Sequence, residues 1–205
     1  MSLMGRLVRA AADSIRLARF LDPAADPWDY LIMPVPAQAF GLASDCEFTA
    51  YLDGPSRVPV RDVHEVCAWL RACEAVDDQT LFQKPDFWQH PVTFEQLRKG
   101  DCEDHALWAW RQLRNLGYPV LFMAGLWKSI PHAWVLYRDN DALLLLETTA
   151  KQDRMVQPLA TVRHEYRPAL AVDEECRTLV YQGYPQFRAA ATRCTDPSNT
   201  HPRSP

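Results

Sequence analysis

Between Lys99 and Pro119 the chain runs KGDCEDHALWAWRQLRNLGYP. Asp101 to His105 set three acids, a cysteine and a histidine side by side, and an aromatic, apolar run follows. The segment predicts a helix with defined ends. Asp101 can cap its start, Glu103 and Asp104 suit the positive end of the dipole, and Arg111 and Arg114 lie toward the other end. Gly117 is placed for a left-handed C-cap and Pro119 forbids continuation. Cys102 then falls in the first turn, where free N–H groups favour a negative charge. The cluster reads as a nucleophile with helpers, as a metal nest, or as a charged helix start.

Downstream, PVLFMAGLW (119–127), HAWVLYRD (132–139) and ALLLLETT (142–149) read as strands, the last two forming an antiparallel hairpin. Centred on Asp139-Asn140, that hairpin sets His132 directly opposite Glu147, at the Cβ spacing of ~4.5–5.5 Å typical of cross-strand pairs. A loop shifted by one residue is expected to put the two on opposite faces. After Pro158 the pattern weakens to an edge strand and a wrapping segment, and 189–205 read as a disordered tail.

Upstream, RDVHEVCAWLRACEAV reads as a helix on Val63, Val66, Cys67 and Leu70. A short helix is expected around Thr93–Lys99, with Thr93 as N-cap and Gln96 completing a capping box. Residues 22–60 are proline-rich and read as irregular, apart from a short strand in CEFTAYL. Leu3, Leu7, Ala11, Ile15 and Ala18 recur at helical spacing, so an amphipathic helix docked on the domain is expected. The division that follows is an N-terminal segment 1–59 packed on the core, a core domain 60–188 and the tail 189–205.

Composition narrows the function classes. At 205 residues there is room for one domain with a real core. A net charge of -4, with no basic stripe interleaved with aromatics, disfavours nucleic-acid binding. No run approaches the ~18–20 apolar residues that span a bilayer, so no integral membrane segment is expected. The arginine-broken start is not read as a secretory signal. Six scattered cysteines without a CxxC pair point to reduced thiols and a cytoplasmic location. No glycine-rich loop follows a strand, so a nucleotide site has no support.

The thiolate is the reactive form of cysteine, and Asp101, Glu103 and Asp104 oppose it, so Cys102 needs a base from elsewhere. His132, opening its strand, is the candidate, with Glu147 as the carboxylate that orients the imidazole. His105 and Asp104 read instead as a partly exposed helix residue and a capping or arginine-pairing acid. A zinc site on Cys102, His105 and His132 lacks a second well-spaced ligand pair. Trp108, Trp110 and Trp134 are expected in the core, and Trp88 and Trp127 beside a cleft. His64, His90, His164 and His201 show no paired spacing.

The order cysteine at a helix start, histidine opening a strand, acid on the next strand resembles the transglutaminase-like superfamily. The string DFWQHPVTFEQLRKGDCEDHALWAWRQL is similar to the bacterial transglutaminase-like cysteine peptidases. The matching positions are Asp86, Phe87, Trp88, Pro91, Glu95 (one step out of place) and Gly100 to Asp104, joined by His132-Ala133-Trp134-Val135. The resemblance spans roughly residues 60–150. It implies an α/β (α+β) papain-like fold, with the cysteine helix packed on an antiparallel sheet. It further implies Cys102 as nucleophile, His132 as general base and acid, and Glu147 as orienting carboxylate, where the family usually carries Asp. Trp88 or Gln89 would join the Cys102 N–H in an oxyanion hole. Some relatives bind calcium through acids flanking the cysteine, here Asp101 and Glu103; otherwise no cofactor is implied. The implied activity is hydrolysis of an amide in a peptide or protein substrate. The alternatives are acyl transfer by a transglutaminase and a non-catalytic peptide- or protein-binding domain. Neither substrate nor oligomeric state is legible.

Overall fold

The computed structural model describes residues 30–39, 41–44, 46–151 and 154–181. The expected helix over Leu3–Ala18 and the tail 189–205 lie outside them. Strand β1 (Tyr30–Pro36) opens the described chain and a 3-10 turn covers Phe48–Leu52. Neither matches the expectation for this proline-rich stretch. The run YLIMPVP pairs antiparallel with a late strand at the rim of a sheet, with a register irregularity between Ile32 and Pro36. A sheet edge is where prolines, lacking an N–H, are tolerated. CEFTAYL is not a strand because Phe48 and Tyr51, three residues apart, share one side of a 3-10 turn and both are buried.

Helix α1 (Val63–Arg71) forms as expected, its start capped by Asp62, whose side chain accepts the Glu65 N–H at 2.8 Å. Strand β2 (Glu74–Ala75) and helix α2 (Asp78–Phe82) lead into helix α3 (Pro91–Leu97). The N-cap of α3 is His90 rather than Thr93: His90 Nδ1 accepts the Val92 N–H at 3.2 Å, and Pro91 supplies a pre-set first position. Strand β3 (Lys99–Gly100) pairs in parallel with β2, and helix α4 (Cys102–Asn115) follows at once.

α4 is the centre of the molecule. Every residue from Glu103 to Leu113 is buried, so the helix is wrapped on all sides rather than amphipathic. At its start the Asp104 carboxylate accepts the Asp101 N–H at 3.3 Å. At its end Gly117 has φ +86°, the left-handed geometry that stops the helix. Trp69 of α1 stacks on Trp108 with centroids 3.9 Å apart, and Phe48 meets Trp110 edge-on at 5.3 Å. Glu95 of α3, itself buried, accepts hydrogen bonds from Ser56 Oγ, Arg57 N, Trp108 Nε1 and Gln112 Nε2. That set fastens residues 56–57 to the two helices. The expected core tryptophans, Trp108, Trp110 and Trp134, are all fully buried.

After α4 come β4 (Val120–Trp127), β5 (Ile130–Asp139), β6 (Ala142–Leu146) and β7 (Val156–Pro158). A short helix α5 (Leu159–Val162) precedes β8 (Tyr166–Asp173) and β9 (Arg177–Tyr181). Together with β1 they make a seven-stranded antiparallel sheet of order β1-β9-β8-β4-β5-β6-β7. The weakly patterned segment after Pro158 therefore supplies interior strands: β8 lies between β4 and β9. The fold class is thus the expected one, a mixed α/β domain with the cysteine helix on an antiparallel sheet.

Side chains alternate between two layers, as the pleat requires. Phe122, Ala124, Ala133, Val135 and Tyr137 pack toward α4, whereas Leu121, Met123, Trp134, Leu136 and Leu145 pack with Leu159 and Val162 on the other face. Among the described residues no helix is long and apolar enough to cross a membrane.

Candidate active site

Two features of the sheet put the candidate residues in one place. First, β6 pairs with β5 only from Val135 onward, so the edge of β5 before that point has no β6 partner. Second, α4 begins beside this edge: the Ala133 N–H faces the Cys102 sulfur. Cys102, His132 and Trp88 line a single cleft of about 430 Å³ with Asp78, Asp86, Asp101 and Glu103.

His132 and Glu147 are joined. Nε2 of the imidazole lies 3.0 Å from Oε1 and 2.9 Å from Oε2 of the carboxylate. The register that achieves this is not the expected one. The turn is Asn140-Asp141, one residue later, with Asp139 paired to Ala142 and Val135 to Leu146. One step beyond that last pair, Glu147 comes opposite Trp134, with His132 two residues further along. Sliding a two-residue turn by one position lengthens one strand as it shortens the other, so parity is kept. The two residues therefore share a face, contrary to the expectation for a shifted loop. They are diagonal neighbours, whose backbones stand roughly 7–8 Å apart. The extra methylene of glutamate spans that diagonal, and an aspartate at 147 would fall short.

Glu147 is buried, 2% exposed, and well supplied with donors. Thr149 N and Ala150 N donate to Oε1 at 3.1 and 3.2 Å, and the Tyr166 hydroxyl donates to Oε2 at 2.9 Å. Burial alone would push its pKa up. The His132 hydrogen bond and charge, with the two backbone N–H groups, outweigh burial and hold the carboxyl below its ordinary value. The indole of Trp127 lies 5.3 Å from the imidazole, and Trp134 lies 6.4 Å from it.

The thiol half is arranged differently. Cys102 Sγ donates to Glu103 Oε2 at 3.2 Å; its hydrogen bond does not go to His132. Burial first, then the charges of Glu103 and Asp101, push the thiol well above its ordinary pKa. The acids are shifted in turn: burial and the neighbouring Asp101 push Glu103 up to about 10 and Asp78 up to about 6. The helix start that should favour a thiolate is overruled by its own carboxylates.

The remaining candidates separate. Trp88 reaches the cleft, but its Nε1 donates to Asp86 Oδ1 at 2.9 Å. Gln89 is fully buried and committed to the helix start: its N–H goes to Asp104 Oδ1 at 2.7 Å, and its side-chain amide to Lys99 O and Asp104 Oδ2. Asp104 thus serves Gln89 and the α4 cap rather than an arginine. His105 is fully buried, not partly exposed, because it packs edge-on against Phe94 at 4.7 Å. Its Nδ1 donates to Asp101 O at 2.7 Å, and burial pushes its pKa down to about 4.

Sequence reading missed two acids of this site. Carboxylate oxygens of Asp78, Asp101 and Asp104 lie within 4.8 Å of one another, as do those of Asp78, Asp86 and Glu103. Asp78 Oδ1 and Asp101 Oδ1 are buried with no hydrogen-bond partner. Nothing in the spacing of Asp78, the first residue of α2, announces it, and Asp86, matched only as a motif position, is carried to α4 by the loop between α2 and α3. Tyr166, at the start of a strand read as peripheral, was likewise invisible.

No protein-family model matches the chain, and neither does any curated protein. Among solved structures it is similar to calcium-bound Legionella pneumophila LapG, at 18% identity and a TM-score of 0.47, over 72% of this chain and 87% of that one. A second Legionella pneumophila LapG structure gives 18% identity and a TM-score of 0.48, over 71% and 84%. The EGTA-treated form gives 17% and 0.47, over 71% and 85%.

Proposed function

We propose that this chain is a thiol hydrolase of transglutaminase-like type acting on an amide bond in a peptide or protein. The observation that carries the reading is the pair of half-buried His132 and buried Glu147, its imidazole lining the cleft that also holds Cys102. Glu147 occupies Nε2, which leaves Nδ1 to act as the base. The thiol turns from Glu103 to Nδ1 and gives up its proton there, and the sulfur attacks the carbonyl carbon. The Cys102 N–H, at the start of α4, receives the developing oxyanion in this reading. The imidazolium returns the proton to the leaving amine, forming a thioester on Cys102. Water, deprotonated by His132, then releases the acid and the free thiol. Glu147 holds the ring and stabilises its charged form without taking the proton.

Calcium belongs to the same reading. The buried, unpartnered oxygens of Asp78 and Asp101 fit a hard cation, which takes oxygen ligands only. Asp78, Asp86, Asp101, Asp104 and Glu103 are the residues that would hold it. A bound dication favours the ionised forms of nearby groups, carboxylates and thiol alike.

One observation favours a second reading, a peptide-binding domain without turnover. The thiol is bonded to Glu103 and held protonated by burial and then by its acidic neighbours. A peptide-library digest with and without calcium, read by mass spectrometry, separates the two. Hydrolysis predicts new peptide termini with wild type and none with Cys102→Ala. Binding without new termini, from both proteins alike, would overturn the hydrolase.

A further inference from the structure

We infer that Tyr166 is a positioning residue for the His132–Glu147 pair, locking the carboxylate in the one rotamer that reaches the imidazole. The inference rests on the triad reading and adds to it a fourth side chain.

Glu147 does not face His132 directly; it must lean along the strand by two residues to meet it. A glutamate has three rotatable bonds, and beyond Leu146 its own strand has ended. Something must therefore select one geometry out of many. The two backbone donors, Thr149 N and Ala150 N, both act on Oε1. Oε2, at 2.9 Å the nearer oxygen to Nε2, has one other donor among the described residues, the Tyr166 hydroxyl. With both oxygens pinned, the carboxylate plane is fixed against the ring.

Tyr166 is itself buried and packed between rings. It is 4% exposed, it is the register partner of Trp127 across β4 and β8, and its ring stacks on that indole at 19°. Trp134 closes on it from a third side, with centroids 5.0 Å apart. The same two indoles flank His132. Phenol and imidazole thus share aromatic walls and one carboxylate. Burial, then the adjoining Glu147 charge, keeps the phenol protonated, so it can only donate to that carboxylate. Nothing in the mechanism requires Tyr166 to touch substrate or thiol. It acts through Glu147.

The test is alkylation of Cys102 by iodoacetamide, followed by peptide mapping at pH 6 and pH 9.5 in the presence of calcium. The ratio of the two rates in one sample reports the imidazole-assisted thiolate and cancels any loss of folded protein. Wild type should show a raised ratio that His132→Ala abolishes. Tyr166→Phe, which keeps the ring stacking, should lower the ratio by about tenfold, the scale of losing a supporting contact that fixes a functional group. Added to Glu147→Gln, Tyr166→Phe should lower it no further. A wild-type ratio in Tyr166→Phe, or an equal further loss on the Glu147→Gln background, would overturn the inference while leaving the triad standing. No enhancement in wild type would overturn the triad and the inference together.

Discussion

Glu147→Asp is the most revealing single change. Shortening the side chain by one C–C bond of ~1.5 Å withdraws the carboxylate by about 1.3 Å along its own axis. The contacts at 2.9 and 3.0 Å then open to beyond 4 Å, outside hydrogen-bonding range. The hydrogen bond from Tyr166 is withdrawn with them. A charge-assisted hydrogen bond contributes about 1.5–3 kcal/mol, and buried donors left without an acceptor add a further cost. A total near 3 kcal/mol would lower the melting temperature by roughly 6–12 °C for a domain of this size. The effect has a definite pH window. The folded pKa of Glu147 lies below its unfolded value, so its stabilisation is complete above the ordinary glutamate range. It is lost as pH falls through the folded value. Melting curves of wild type and variant should therefore differ most at pH 7 and converge toward pH 2. Glu147→Asp melting like wild type at pH 7, with normal Cys102 alkylation, would refute the claim that the diagonal register demands a glutamate.

Further outcomes follow from the acid cluster and the core. Glu103→Gln removes the acceptor of the thiol's hydrogen bond and a carboxylate whose charge opposes the thiolate as pH rises toward about 10, so the thiol pKa should fall and alkylation at alkaline pH should rise; an unchanged alkylation profile would contradict this. Glu103 and Asp78 have folded pKa values raised above their unfolded ones. They weaken the fold as pH rises, Asp78 through about 6 and Glu103 toward about 10. Glu103→Gln should accordingly raise the melting temperature more at pH 9 than at pH 5; an equal shift at both would contradict this. Calcium should raise the wild-type melting temperature, and Asp78→Asn should shrink that shift. His105, with a folded pKa of about 4, costs stability as pH drops from its ordinary value near 6.5 toward 4. His105→Leu should flatten that limb, and an unchanged slope would count against it. Phe122→Ala, between Phe48 and Trp88, should cost about 3–5 kcal/mol by denaturant titration.

Much of this was legible where local chemistry decides structure. Asp101 and Gly117 mark both ends of α4 because capping and a positive φ are properties of single residues. The strands at 120–127 and 130–139 announce themselves by length and apolar content. The hairpin register was misread by one residue of turn, yet His132 and Glu147 still meet, because parity survives such a slip and a glutamate absorbs the diagonal. What could not be read is what distant segments supply. β1 looks irregular until β9 gives its prolines an edge, and β8 looks peripheral until β4 lies beside it. Asp78, at the start of α2, and Asp86, on the loop after it, look like ordinary surface acids until α4 begins next to them. His105 carries no sign of burial; Phe94 and the layers around α4 impose it. Tyr166 reaches Glu147 across a sheet whose order no local pattern encodes.

The most direct measurement is the mass of the intact protein, quenched in acid while it turns over a peptide library in calcium. An acyl adduct on Cys102 is expected, removable by hydroxylamine and missing from His132→Ala. Peptide cleavage that continues in Cys102→Ala, or turnover with the adduct on another residue, would contradict it.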